Sequence, residues 1–239
     1  MRTTRRARSG AIRARLRRLI WRWGVRIGLL LTLWVAFYAV FPVPTTPYIV
    51  AESRRLGGGV EREWAAMSDI SLHLQRAVVA AEDANFCHHW GFDMGAIRTV
   101  IADGGSRGAS TITQQTVKNV FLWHGRSWVR KAIEAMITPL TELIWSKSRI
   151  LEIYLNVAEF GEGIFGVEAA AQHYFNRSAA AIGPREAALL AAILPAPRVR
   201  SPAAPSAWVV TRAAAIADGA ATIHADGRDR CFVNEANRN

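Results

Sequence analysis

Hydrophobic residues recur along this chain at helical spacing, and no run alternates with period two for long enough to argue a sheet. The pattern therefore predicts an all-α protein. Its first apolar run, Ile27 to Phe41, ends at Pro42-Val-Pro44, and no charge falls between residues 27 and 51. Leu19 to Val25 extend this run while Arg22 and Arg26 snorkel, enough for one helix across a hydrocarbon layer of about 30 Å. Pro42 to Gly59, with its three prolines and a Gly-Gly-Gly run, reads as a linker.

Past the linker, cap residues mark successive helices. Ser68 or Asp69 opens one through Ala81, Asp93 caps 94–102, and Ser110 or Thr111 starts one ending at Phe121. Ser127 caps a fourth helix, with Trp128, Ile133, Ile137, Leu140, Ile144 and Trp145 at helical spacing and a kink predicted at Pro139. Ser148 precedes a helix over 149–157, and others follow at 166–175, 184–194 (opened by Pro184) and about 206–222. Residues 223–239 read as a frayed tail. The resulting organisation is a basic tail (1–18), a transmembrane helix (19–43), a linker (44–62), a helical domain (63–205) and a C-terminal helix and tail (206–239).

Charge changes the picture at one end only. The net charge is +11, but ten arginines precede residue 27 and the first acidic residue is Glu52, so the remainder carries a net of +1. Basicity thus belongs to the tail, and a nucleic-acid arm is disfavoured because uncharged apolar residues follow at once. Arginines before the span and none just after it place the N-terminus in the cytoplasm and residues from about 45 outside. A cleaved signal peptide is the competing reading, weakened by the absence of an Ala-x-Ala site. Cys87 and Cys231 are too few for a disulfide framework and lack zinc spacing. With Cys231 in a polar tail, two free thiols are expected, Cys87 half buried.

Candidate chemistry starts at Glu82-Asp83, which ends the apolar run Ala77-Val-Val-Ala-Ala81. Apolar surroundings disfavour a charged carboxylate and raise its pKa, which suits Glu82 to act as a general base, although a solvated helix end would read the same way. The segment from Arg107 to Asn119 is dense in hydrogen-bonding side chains, with Gln114 and Lys118 on one face and Gln115 and Asn119 on another. Ser110 and Thr111 sit at a helix N-terminus, a place that suits an anion. The segment reads either as a phosphate or sugar cradle charged by Lys118, or as a capped, solvated amphipathic helix. Arg126, Arg130 and Glu134 follow at four-residue steps along one side of the fourth helix, the arginines matching phosphate oxygens. Glu134 either pairs with Arg130 or helps hold a divalent metal on a pyrophosphate.

These segments in order are Glu82-Asp-x-x-Phe86-x-x-His89-x-Gly-Phe-Asp93, Gly108-Ala-Ser-Thr-Ile-Thr-Gln-Gln-Thr-x-Lys-Asn119, Arg130-Lys-x-x-Glu134, Lys147-x-Arg-Ile-Leu-Glu-x-Tyr-Leu-Asn156 and Gly161-x-Gly-x-x-Gly-Val-Glu-Ala-Ala-Ala-x-x-Tyr-Phe175. They resemble the five motifs of the peptidoglycan glycosyltransferases (glycosyltransferase family 51). Phe121-Leu-Trp123, Trp145-Ser-Lys147 and Asn156-Val-Ala-Glu-Phe160 resemble more narrowly the monofunctional biosynthetic transglycosylases.

The resemblance, over about 70–202, implies a lysozyme-like helical domain in the inner membrane that polymerises lipid II into glycan for cell-wall biogenesis and cell shape, releasing undecaprenyl pyrophosphate. It implies Glu82 as general base and Glu134 assisting the leaving group, with Mg2+ or Mn2+ as cofactor. Lys118, Arg126 and Arg130 would stabilise the pyrophosphate. Ser110, Gln114, Gln115 and Asn119 would position substrate, and Phe86 would shape the cleft. Partners would be lipid II, nascent glycan, membrane lipid and cell-wall synthesis or division proteins.

Departures from the family are a short link from Asp93 to Gly108, Pro139 and Thr141 in the fourth helix, Leu194-Pro-Ala-Pro197, and a poor match after Arg200. No Ser-x-x-Lys in a suitable context marks a penicillin-binding domain, so peptide cross-linking is expected from another protein. The rivals are a lytic enzyme of the same fold, which needs no cationic cluster, and a non-catalytic membrane scaffold.

Overall fold

The structure, a computed structural model, describes residues 3–104, 108, 110–125 and 127–233. It divides into two compact units, Met1–Phe41 and Pro42–Asn239. The first is one helix, α1 (Thr3–Tyr38), whose stretch Arg15–Tyr38 is long and apolar enough to cross a membrane. At 1.5 Å per residue that stretch measures about 36 Å. The helix runs upstream through the basic tail and stops at Tyr38, short of the expected boundary at 43.

The second unit is mostly helical: α2 (Pro47–Arg55), α3 (Leu72–Glu82), α4 (Met94–Ala102), α5 (Ile112–Phe121), α6 (Trp128–Ile144), α7 (Lys147–Val157), α8 (Val167–Phe175), α9 (Pro184–Ile193) and α10 (Ala207–Ala225). Caps explain most of the boundaries. Ser71, Asp93, Thr111, Ser127, Ser146 and Ser206 each accept a backbone N–H of the helix they open. Two caps differ from the expected ones, Ser71 for Ser68 or Asp69 and Ser146 for Ser148. The stretch expected to be linker contains α2, opened by Thr46 and by Pro47, whose fixed φ suits a first helical turn.

Helix α6 continues through Pro139. A proline there removes the N–H that would bond the carbonyl of Ala135, but Ala135 and Pro139 are both exposed, so water can satisfy that carbonyl. On the buried side, Thr138 and Thr141 donate to the carbonyls of Glu134 and Ile137.

A small sheet escaped the periodicity argument because its strands are two or three residues long. β1 (Glu61–Arg62) pairs in parallel with β3 (Ile164–Phe165), which pairs antiparallel with β2 (Glu159–Gly161). Gly163 turns the β2–β3 hairpin at φ +76°, and a Cβ there would lie 2.9 Å from the carbonyl oxygen of Gly59. Helix α7 is buried on nearly every side, with Ile150, Leu151, Ile153, Leu155 and Val157 inaccessible to solvent, as befits a helix apolar all round. Within it, Asn156 exchanges two 2.8 Å hydrogen bonds with the backbone of Ala65, tying the segment before α3 to the core. Alanines of α9 let α3 and α10 approach closely, and these three helices pack together while α5 packs on α6 and α7.

The C-terminus corrects two expectations. Residues 226–233 fold back in turns, burying Asp229, Phe232 and Val233, and Cys231 is joined to Cys87 by a disulfide. The free thiols and the frayed tail are thus overturned for the described residues. The partners lie 144 residues apart, beyond the reach of any local pattern. Replacing both cysteines by serine is expected to cost about 2–5 kcal/mol of stability, read as a lower denaturant midpoint, because the bond closes a long loop in the unfolded chain. An unchanged midpoint would refute a stabilising role.

Candidate active site

The C-terminal end of α3 delivers two carboxylates to different neighbours. Asp83 turns inward: its Oδ2 accepts the backbone N–H of Ile112 (3.0 Å), and its Oδ1 lies 2.8 Å from His89 Nε2. A carboxylate at the first turn of α5 is favourably placed against the helix dipole. The N-terminus of α5 is consequently occupied from within, since Thr111 Oγ1 also accepts the N–H of Gln114, and it is not the open anion site that Ser110 and Thr111 suggested. Thr111 donates in turn to the carbonyl of Gly91. Gly91 has φ +78°, and a Cβ on it would meet Thr138 Cγ2 at 2.5 Å, so only glycine lets this turn close on α6.

Glu82 instead accepts a 2.8 Å hydrogen bond from Gln115 Nε2. Burial raises its pKa; Gln115, Arg212 and Lys118 oppose the shift, and Asp83 adds to it. Gln115 lies on α5 one turn before Lys118, so both side chains reach the same side of that helix. Burial lowers the Lys118 pKa, against the attraction of Glu134. Among the described residues the Lys118 ammonium has neither a hydrogen-bond nor an ion-pair partner. A cation held by its helix without a counter-ion is poised for an anionic ligand.

Two cavities flank the Glu82–Gln115 bond. One, of about 230 Å³, is lined by Glu82, Asp83, Asn85, Asp93, Ser110 and Thr111. The other, of about 190 Å³, is lined by Tyr48, Gln115, Lys118, Asn119, His124 and Glu159. Larger grooves beside α10 are lined mainly by alanine, proline and other apolar side chains, with His73, Arg76 and His224 at one of them and no carboxylate.

The remaining expected site residues separate by role. Glu134 is 2% exposed and engages cations on both oxygens, Arg130 Nη1 at 2.7 Å and Lys131 Nζ. Lys131 also reaches Ser110 Oγ at 3.3 Å. Glu134 therefore forms the structural pair weighed from its spacing. Among the described residues no group of three His, Cys, Asp or Glu side chains could hold a metal ion. With both Glu134 oxygens already held by cations, this donor set does not fit a resident divalent ion.

Gln114 accepts the Thr111 N–H to complete a capping box, so it builds the helix. Asn119 faces His124 at 3.2 Å and lines the Lys118 cavity. Phe86, expected to shape the cleft, is inaccessible to solvent beneath Lys147, whose Nζ lies 4.4 Å from the ring centre; it supports the site from behind. Arg126 lies outside the described residues.

Sequence reasoning missed the wall built by Tyr48, His124, Glu159 and Arg198. His124 stacks on Tyr48 with ring centres 3.4 Å apart, and burial with nearby Lys118 pushes its pKa down to about 4, so the imidazole is neutral near pH 7. Tyr48 donates to Glu159 at 2.6 Å, and Arg198 pairs with Glu159 and Glu52. These residues come from α2, the loop after α5, β2 and the segment after α9; only the third dimension assembles them.

A model described as "Transglycosylase" matches residues 51–221. The chain belongs to the transglycosylase family. The match begins inside α2 and extends through most of α10, further than the motif-based domain of 63–205. A "Biosynthetic peptidoglycan transglycosylase" of Jannaschia sp. (strain CCS1) is 58% identical over 235 residues, covering 96% of this chain and 98% of that protein. Proteins of the same name from Yersinia pestis (strain Pestoides F) and Yersinia pseudotuberculosis serotype I (strain IP32953) are 48% identical over 211 residues, covering 81% of this chain and 86% of theirs. This transglycosylase has the expected helical class, with one small sheet, and an N-terminal helix suited to a membrane anchor.

Proposed function

We propose that this transglycosylase polymerises lipid II into β-1,4-linked glycan by a single inverting displacement. The 4-hydroxyl oxygen of the acceptor N-acetylglucosamine bonds to C1 of the donor N-acetylmuramic acid, and its proton passes to Glu82. The C1–oxygen bond breaks with its electron pair leaving on undecaprenyl pyrophosphate, whose growing charge Lys118 meets. The observation that carries this reading is the pairing of a half-buried carboxyl of raised pKa with an ammonium, one helical turn beyond Gln115, that has no partner among the described residues. Asp83 has both oxygens engaged, so Glu82 acts without a second nucleophilic carboxylate.

Three features support a setting at the outer face of the inner membrane. Arginines cluster before the apolar stretch of α1. A disulfide in the globular unit suits an oxidising compartment. Trp128, Ala132, Met136, Pro139 and Leu143 form an exposed apolar stripe on α6 that suits the lipid surface from which the substrate is drawn.

Purified full-length chain incubated with lipid II is expected to yield long glycan on a gel. Cleavage of finished sacculi without polymerisation would replace this reading with a lytic one. The pH profile is expected to be bell-shaped. Activity falls on the acid side as Glu82 takes up a proton, above the ordinary glutamate range, and on the alkaline side as Lys118 loses one, below the ordinary lysine range. A rate flat through both limbs would exclude these assignments.

A further inference from the structure

Residues 222–233 lie beyond the family match, which ends at 221, yet their contacts converge on the stretch that bears Glu82. Six residues before Glu82 on the same helix, Arg76 donates its Nε–H to Asp229 Oδ2 at 2.9 Å. Two residues after it, the carbonyl of Ala84 accepts from Arg228 Nη1 at 3.1 Å. Five residues after it, Cys87 is bonded to Cys231, and the adjacent rings of Phe86 and Phe232 lie 6.4 Å apart. The segment is itself braced, with Asp226 holding the Arg228 Nε–H at 2.9 Å and His224 contacting Asp229 at 3.0 Å.

Glu82 is the last residue of α3, and a helix end has no following turn to hold its carbonyls or fix its direction. The heading of the Glu82 side chain therefore depends on what grips the chain on either side. The C-terminal segment does both, binding α3 through Asp229 and the turn after it through Arg228 and Cys231. We propose that residues 226–233 form a disulfide-closed clasp that positions Glu82, so that the transfer reaches full rate only when Cys87 and Cys231 are bonded. The consequence is a link between activity and compartment: a chain still in a reducing environment is slow, and after export exchange with an oxidant that is itself a disulfide, which takes the two electrons and two protons of the Cys87 and Cys231 thiols and leaves as a dithiol, completes the site. Arg228, Asp229 and Cys231 are positioning residues in this scheme and touch no substrate. The inference rests on the polymerase reading above.

The test measures initial lipid II polymerisation by the full chain in three forms: oxidised, reduced with both thiols alkylated, and Cys87→Ser/Cys231→Ser. The saturated rate is expected to fall about tenfold on loss of the bond while KM changes by less than about twofold, because misdirection of the base affects the chemical step more than binding. The acid limb of the rate is also expected to move to lower pH as water reaches Glu82. The charged or titratable groups that act on that carboxyl are Asp83 beside it, Lys118 of α5, Arg212 of α10 and Tyr154 of α7, and none of them is altered by these changes. Arg228→Ala keeps the disulfide and is expected to lower the saturated rate about threefold with the same direction of shift.

Equal saturated rates and an unmoved acid limb in all forms would overturn the clasp, even if melting temperatures differ. Should the cysteine-free or reduced protein fail to fold, Arg228→Ala decides alone. An oxidised parent that makes no glycan from lipid II would instead remove the polymerase reading, and the clasp with it.

Discussion

Glu82→Gln is expected to reduce glycan polymerisation about a thousandfold while leaving the fold and melting temperature essentially unchanged. The substitution keeps the shape of the side chain and its hydrogen bond, because Gln115 Nε2 can donate to an amide oxygen as it does to the carboxylate at 2.8 Å. It also removes a carboxylate whose burial opposes its charged form, so no loss of stability follows from the charge itself. What disappears, on the proposed mechanism, is the acceptor for the sugar hydroxyl proton. Asp83 cannot replace it, since the Ile112 N–H and His89 occupy its oxygens and those contacts hold the start of α5. Initial rates with lipid II, read beside a thermal melt, give the result, and a mutant as active as the parent would remove Glu82 from the mechanism.

Lys118→Ala is expected to cost about a hundredfold or more in the saturated rate, again with little change in stability. The ammonium has no counter-ion among the described residues, so its removal breaks no ion pair there. On the proposed mechanism its contribution arises when negative charge moves onto the leaving pyrophosphate, which places the loss in kcat more than in KM. Arg130 provides the contrast. It is bonded to Glu134 and to the carbonyl of Gly125, so Arg130→Ala is expected to unsettle buried Glu134 and lower stability. An unaltered rate for Lys118→Ala would refute the pyrophosphate role.

Much of the helical framework was legible because its signals are local. Asp93 and Ser127 cap as expected, Thr111 is one of the two caps expected for α5, and α6 follows its apolar spacing. The short strands could not be read, because two or three residues carry no period. The linker reading missed α2, where three prolines outweighed the Thr46-Pro47 start signal. Phe86 looked like a cleft residue because its motif surrounds the site, whereas its ring fills the space beneath Lys147. Glu134 and Arg130 showed their i,i+4 pairing in the sequence, whereas only the fold shows Lys131 Nζ on the other oxygen.

By itself the sequence determined the anchor-like apolar helix, the helical class and the order of the residues proposed to carry the chemistry. Each of these depends on composition or on spacing within a few turns, over which the backbone geometry is known in advance. Tertiary structure decided which carboxylate is available. Glu82 and Asp83 are neighbours of the same charge, and only the packing of α3 against α5 sends one to a helix N-terminus and leaves the other beside Gln115. The disulfide, the folded C-terminal segment and the Tyr48–His124 wall depend on contacts between residues 76 or more positions apart. Contacts at such separations form only once the chain has collapsed, because burial and loop closure, rather than local periodicity, select the partners.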